Sequence, residues 1–214
     1  AMTDLARESS QVDALHGGLP DFPRSFTGKG VLIGVIDTGF DFMHPAFRDA
    51  EGNSRIVHVW DQSGRNGNTP SMGYGVVFDT PELIRSAAHD VSRDTHGTHV
   101  AAIAASSADV YKGMAPESDI VVVATDKSES GIIDALAYLL DYAEKEKKPI
   151  AINLSMGTVI GFKDGTDPIA SMIDELLDKS GKKCLMAIAA GNEGHRNSTI
   201  VTETTGQGEV INLS

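Results

Sequence analysis

A chain of 214 residues with 41% hydrophobic residues can bury a substantial core, and its formal net charge of −12 argues against binding to nucleic acid phosphates. No stretch approaches the roughly 20 consecutive apolar residues of a membrane-spanning helix, and the first four residues lack the basic and apolar character of a signal peptide. The single cysteine, Cys184, excludes an internal disulfide, and its apolar neighbours favour a buried structural thiol.

Short apolar runs alternate with amphipathic segments, which predicts a mostly parallel sheet with helices on both faces. We expect loops at 63–75 and 157–165, where Gly and polar residues are frequent, and the start of one more strand at 208–214. In chain order, the predicted strands are residues 31–36, 55–61, 120–124, 150–154 and 185–189, and the predicted helices are residues 4–15, 81–89, 96–106, 131–147 and 167–179.

Asp37 follows the first predicted strand and precedes the turn Thr38-Gly39. Binding sites of parallel sheets gather at the carboxyl ends of their strands. A carboxylate at that place can accept a hydrogen bond from a histidine and hold the ring in one tautomer. An aspartate that only caps the turn explains the same position, so this residue alone leaves both interpretations open.

His96 begins a predicted helix of small residues that enters the core. The helix dipole disfavours an imidazolium at this end, which keeps the ring available as a base. A structural histidine is the alternative for a single residue. His99 lies on the same helical face, but the sequence offers no further metal ligands beside the two, so we predict no metal site and a packing and hydrogen-bonding role for His99.

Asn192 follows the last predicted strand, where its amide NH₂ can point at a developing oxyanion. An asparagine in a left-handed turn between glycines is the alternative. Ser155 follows the strand at 150–154, but its neighbours do not form the Gly-x-Ser-x-Gly turn that exposes a nucleophile, so we do not predict that role for it. The backbone around Ser155 can instead pair with an extended peptide.

Five segments resemble, in order, motifs of the subtilisin-like serine proteases, the subtilases. Any one motif is weak, but five in the family order, from about residue 27 to residue 194, make the resemblance specific. The aspartate segment is 35–41 with His44-Pro45, the histidine segment is 96–101, and Gly113-Met114-Ala115-Pro116 follows; residues 153–157 resemble a wall of the specificity pocket, and residues 189–194 resemble the oxyanion segment.

The resemblance implies a serine endopeptidase that hydrolyses polypeptides. Asp37 would orient the ring of His96, His96 would act as general base and then general acid, and Asn192 would donate to the oxyanion. One wall of the pocket would consist of Ser155, Met156 and Gly157, and the other of Ala190 and Gly191.

The implied fold is the subtilisin-like three-layer α/β/α arrangement with a mostly parallel sheet, incomplete at the C-terminus. We expect residues 1–26 to form an N-terminal extension, residues 27–200 to belong to the catalytic domain, and residues 201–214 to begin an inserted β segment of the kind that some bacterial relatives carry. An incomplete fold would leave an apolar face exposed, so we expect this chain to self-associate.

The Gly-Thr-Ser segment that carries the family's nucleophile does not occur in these 214 residues. We therefore expect the serine to lie beyond Ser214, the complete protein to be active and this chain alone to be inactive; a pseudoprotease or binding scaffold without the serine is the alternative. Asp41 resembles a calcium ligand of some members, but the calcium loop of those members has no counterpart here, so no cofactor is assigned. The family implies a secreted or cell-envelope protein and a propeptide.

Overall fold

The computed structural model describes residues 3–18, 24–65, 67–92, 94–157 and 164–192. The strands in it are β1 (Leu32–Asp37), β2 (Ile56–Asp61), β3 (Val76–Phe78), β4 (Asp119–Ala124), β5 (Ile150–Leu154) and β6 (Cys184–Ile188). The α-helices are α1 (Thr3–Ser9), α2 (Val12–Gly17), α3 (Pro81–Ala87), α4 (His96–Ala105), α5 (Glu129–Glu146) and α6 (Pro168–Ser180).

The six strands form one sheet in the order β3-β2-β4-β1-β5-β6. Every neighbouring pair is parallel except β2 and β3, which are antiparallel. The register aligns Asp37 with Ala124, Ile36 with Leu154, and Leu154 with Ile188. The carboxyl ends of β1, β4, β5 and β6 therefore lie together at one edge of the sheet, where the predicted site residues follow the strands.

Two hydrophobic clusters lie on opposite faces of the sheet. One packs α5 and α6 against residues such as Ile36, Val121 and Ile152. The other packs α3, α4 and a set of phenylalanines against residues such as Val35 and Val122. Because β1 and β4 are buried on both faces, their sequences are continuous apolar runs. The predicted three-layer α/β/α fold is confirmed.

Several boundaries differ from those predicted. The single N-terminal helix is two helices, because Gln11 takes a left-handed conformation between them. Helix α5 begins two residues early, since the Ser128 side chain accepts a hydrogen bond from the Gly131 N–H and caps the helix. The loop at 63–75 is followed by β3, a three-residue strand too short to give a periodic pattern. The strand predicted at 208–214 lies outside the described residues.

Candidate active site

The Asp37 and His96 side chains form a direct pair. The two carboxylate oxygens of Asp37 lie 2.8 and 2.9 Å from His96 Nδ1. Asp37 is only 2% exposed, whereas the His96 side chain is 48% exposed. One end of the imidazole is thus held from inside the protein, and the other end is left at the surface.

This pairing fixes the tautomer of the neutral ring. An ionised carboxylate can only accept hydrogen bonds, so Nδ1 carries the proton and Nε2 presents a lone pair. The Thr38 N–H also donates to Asp37 Oδ1, at 2.7 Å, which adds a second constraint on the carboxylate. The geometry gives His96 an oriented basic nitrogen, as general-base chemistry requires.

Backbone contacts bring the end of β1 and the start of α4 together. The Gly97 N–H donates to Thr38 O at 2.7 Å, and the Thr98 N–H donates to Gly39 O at 3.0 Å. A Cβ on Gly97 would lie 2.7 Å from Phe40 Cζ, so a larger residue at this position would separate the two elements. The small residues of the histidine motif therefore let α4 approach β1 closely enough for the pair to form.

A cavity of about 850 Å³ opens beside the pair at the carboxyl edge of the sheet. Its lining includes Asp37 and His96 together with Met156, Gly157 and Ala190, three of the predicted pocket residues. A Cβ on Gly157 would lie 3.5 Å from both Ala189 O and Gly191 Cα, so the two predicted walls lie side by side. The cavity has room for an extended peptide side chain and backbone.

The other predicted residues lie close to this cavity but are not in its lining. Ser155 accepts a hydrogen bond from Asn153 Nδ2 at 2.9 Å, directly after β5. Gly191 has a φ of +86°, and Asn192 is exposed just beyond β6. The predicted motif residues Glu193 and Gly194 lie outside the described residues.

The loop before α5 contributes to the cavity lining and is held by the buried side chain of Gln62. Gln62 Nε2 donates to Gly131 O, and Gln62 Oε1 accepts from Thr125 Oγ1 and the Asp126 N–H. Lys127, which lines the cavity, takes a φ of +67° in this loop. Gln62 could not be predicted as part of the site, because a single glutamine after a strand has no characteristic spacing.

Two buried carboxylates could not be predicted from the sequence. Asp90 and Asp61 are 2% and 3% exposed. Burial raises the pKa of each above its ordinary value, and for Asp61 the nearby charge of Asp90 adds to the rise. Asp90 lies six residues before His96, in a polar segment that has neither helical nor strand periodicity.

Two further expectations concern residues near the histidine helix. His99 is exposed, so the packing part of its predicted role is wrong; the buried residues of α4 are Gly97, Ala101 and Ala105. Asp41 acts within its own turn, where its carboxylate accepts from the Met43 N–H. Among the residues that the structure describes, no group of three or more His, Cys, Asp or Glu side chains is arranged to hold a metal ion.

A family model described as the Subtilase family matches residues 28–211. The chain belongs to the subtilase family. This subtilase is 30% identical to the subtilisin-like protease PopC of Myxococcus xanthus over 78% of this chain and 34% of PopC. It is 28% identical to the serine protease AprX of Bacillus subtilis over 94% of this chain and 41% of AprX.

Among solved structures, the CspB protease of Clostridium perfringens matches this subtilase with a TM-score of 0.70 and 29% identity, over 87% of this chain and 40% of CspB. The chain thus spans less than half the length of each of these three relatives. No helix among its described residues is long and apolar enough to cross a membrane.

Proposed function

We propose that this chain supplies the acid–base part of a serine endopeptidase, whose complete triad is Asp37, His96 and a serine carried beyond residue 214. The observation that supports this most directly is the bond between His96 Nδ1 and the buried Asp37 carboxylate, with the opposite end of the ring exposed beside the cavity. Relatives that are named serine proteases support the same reaction class.

In the proposed reaction, His96 Nε2 takes the proton of the serine hydroxyl as the serine oxygen bonds to the scissile carbonyl carbon. The imidazolium then gives that proton to the leaving amine, and the C–N bond breaks to leave an acyl ester. Water, deprotonated by the same nitrogen, hydrolyses the ester and regenerates the serine. Asp37 stabilises the imidazolium throughout, and the Asn192 amide donates to the oxyanion. Side chains and water suffice, so the proposal assigns no cofactor and no calcium.

We further propose that the substrate is an extended polypeptide. Ser155, Met156 and Gly157 would form one wall of its primary pocket, and Ala190 and Gly191 the other. Met156 is the bulkiest of these five residues, and the cavity beside the wall is open along the carboxyl edge of the sheet. An open cleft of this kind suits a chain that lies across the strand ends better than an enclosed small molecule.

The test uses the complete protein, a fluorophosphonate probe that labels activated serines, and casein as substrate. Wild-type protein should be labelled and should cleave casein, and His96→Ala should do neither. His99→Ala is the matched control, because it removes an exposed histidine from the same helix. It should keep both activities.

The same test separates the alternative. A folded complete protein that is neither labelled nor able to cleave casein would identify a pseudoprotease or binding scaffold. This chain alone should be unlabelled, and labelling that depends on His96 would contradict the proposed location of the serine. We also propose that the complete protein is secreted or lies in the cell envelope and is made with a propeptide. Residues 201–214 would begin an inserted segment, and this chain would self-associate.

A further inference from the structure

Asp90 lies in the segment between α3 and α4, outside the motifs that identify the family, and both of its carboxylate oxygens bind one turn. Oδ2 accepts a hydrogen bond from the Gly39 N–H at 2.8 Å, and Oδ1 accepts one from the Phe40 N–H at 3.1 Å. The Asp90 N–H donates in return to Phe40 O at 3.3 Å. Three hydrogen bonds thus join residue 90 to the turn that directly follows Asp37.

The same turn connects the two members of the Asp37–His96 pair. Besides the backbone bonds from α4 to Thr38 and Gly39, Thr98 Oγ1 donates to Gly39 O at 2.9 Å and accepts from the Asp41 N–H at 2.8 Å. A displacement of this turn would move Asp37 relative to His96. The distance from Asp37 to His96 Nδ1 therefore depends on what holds Gly39 and Phe40.

The turn leaves no room for a substitute at Gly39. Its φ is +83°, and a Cβ there would lie 2.5 Å from the carbonyl carbon of Asp94. The consecutive N–H groups of Gly39 and Phe40 both donate to one carboxylate, a side-chain group that offers two acceptor oxygens. An asparagine offers one acceptor oxygen and would set its NH₂ against the other N–H.

Asp90 is an energetically costly group to bury. It is 2% exposed, and no salt bridge to it is found within the described part of the chain. A second buried carboxylate, Asp61, adds its charge nearby. Such a carboxylate destabilises the fold unless its hydrogen bonds compensate, and its side-chain bonds to Gly39 and Phe40 act on the turn beside the pair.

We propose that Asp90 is a positioning residue for the Asp37–His96 pair: it holds the Gly39 and Phe40 N–H groups and so keeps the Asp37 carboxylate in line with His96 Nδ1. No hydrogen bond joins Asp90 to Asp37 or His96 among the described contacts, so it acts through the turn and does not itself take part in proton transfer. This deepens the proposed function of the same site.

The first test is a proton NMR spectrum of this chain, which needs no nucleophile. A His96 Nδ1–H held by Asp37 should give a resonance far downfield of the amide region. Asp90→Asn should broaden or remove it, while the amide spectrum stays that of a folded protein. Asp49→Asn is the control, because Asp49 is also a carboxylate that accepts a backbone N–H, that of Asn53, but it does not contact Gly39, Phe40 or the segment of Asp90. It should keep the resonance.

An unchanged resonance in folded Asp90→Asn would overturn the proposal, and so would an equal loss in Asp49→Asn. If Asp90→Asn does not fold, Asp90→Glu decides the question. Glutamate keeps both acceptor oxygens but is one methylene longer, so the resonance should shift and persist. A resonance at the wild-type position in Asp90→Glu would contradict the proposal.

The second test is kinetic and rests on the proposed function. In the complete protein, Asp90→Asn should lower kcat by about 10- to 100-fold, the cost of misplacing a catalytic group by a fraction of an ångström to one ångström. KM should change little, because Asp90 does not itself line the cavity. Wild-type kcat in Asp90→Asn would refute the positioning role. An inactive wild-type protein would refute the proposed function instead, and the NMR result would still decide the role of Asp90.

Discussion

The Asp37 carboxylate combines two hydrogen bonds that an amide cannot reproduce together. It accepts from His96 Nδ1 and from the Thr38 N–H while almost fully buried. Replacement by asparagine preserves the shape but offers only one acceptor oxygen, so the imidazole is free to adopt the wrong tautomer.

We expect Asp37→Asn to lower kcat of the complete protein by about 10⁴-fold, the magnitude established for this change in serine protease triads. Asp49→Asn serves as the control, since Asp49 is a partly exposed carboxylate that accepts hydrogen bonds from Asn53 and does not line the cavity. Steady-state kinetics on a peptide substrate measure both variants. Equal activity of Asp37→Asn and Asp49→Asn would remove Asp37 from the proposed mechanism.

Some residues of the candidate site can be predicted from the sequence, and others cannot. Asp37 and His96 could be placed because each sits at the end of a recognisable element and within a family motif. Asp90 and Gln62 could not, because each binds backbone groups far away in sequence, such as Phe40, 50 residues from Asp90, and Gly131, 69 residues from Gln62. Contacts of that kind depend on the tertiary fold and leave no local pattern.

Helix α4 can approach β1 closely because residue 97 is a glycine, which has no side chain. A Cβ on Gly97 would meet Phe40 Cζ at 2.7 Å and Thr38 O at 2.8 Å. Phe40 is itself buried and packed beside Phe42, so it has little freedom to move away.

Gly97→Ala should therefore destabilise the fold by about 1–3 kcal/mol, the usual cost of overpacking, and should reduce activity beyond that loss. Gly17→Ala is the matched control: Gly17 ends α2, and a Cβ there meets nothing within 4 Å. Urea unfolding of both variants gives the free energies. A Gly97→Ala protein as stable as Gly17→Ala would show that the helix can shift without cost.

A buried histidine links β2 to α5. His58 Nε2 lies 2.6 Å from the Tyr138 hydroxyl, and the His58 ring lies 4.4 Å from that of Tyr142. Burial lowers the pKa of His58 from 6.5 to about 4. The unfolded chain therefore binds a proton on His58 at a higher pH than the folded protein does.

The lowered pKa of His58 makes the fold less stable as the pH falls. Above pH 6.5 both states are neutral at His58; as the pH falls from 6.5 towards 4, protonation favours the unfolded state, and the loss approaches about 3 kcal/mol at 1.36 kcal/mol per pKa unit. Asp61 and Asp90 act in the opposite direction, since the raised pKa of each makes the folded protein take up protons first.

Comparison with His58→Gln isolates the histidine, because the two aspartates remain in both proteins. Urea unfolding at pH 7, 5.5 and 4.5 should show the wild type losing stability relative to His58→Gln as the pH falls. Parallel stability profiles would mean that His58 titrates normally in the fold.

Elements as a whole were easier to predict than their ends. The apolar runs of β1, β4 and β5 and the periodic pattern of α5 predicted the layers, because burial on both sheet faces dictates composition. The break at Gln11 and the capping of α5 by Ser128 depend on local backbone geometry. Short β3 pairs with β2 over three residues and owes its existence to the neighbouring strand.

At the scale of the molecule, one edge of the sheet carries exposed apolar side chains. In the described structure, β6 forms one edge, and Leu185 and Ile188 on it are 77% and 50% exposed. Met172 on nearby α6 is also exposed. An exposed parallel edge strand with apolar side chains is a site for association.

We expect this chain to self-associate with rising concentration, and Leu185→Lys to weaken that association. Lys is the residue that natural edge strands use against pairing. Light scattering across a concentration series measures the association. Val110→Lys is the control, because Val110 is an exposed apolar residue in the loop after α4. A wild-type chain that stays monomeric at high concentration would contradict the expectation.

The unequal burial of the strands also divides the candidate site by local stability in the described structure. Asp37 ends β1 and His96 begins α4, and both elements pack into the core. Asn192 follows β6, which has a neighbouring strand on one side only in the described structure. Amide protons of β1 and β4 should accordingly exchange with solvent far more slowly than those of β6. In this chain the Asp37–His96 pair should therefore lie in the more rigid part of the candidate site, and the segment that carries Asn192 in the part that opens more readily.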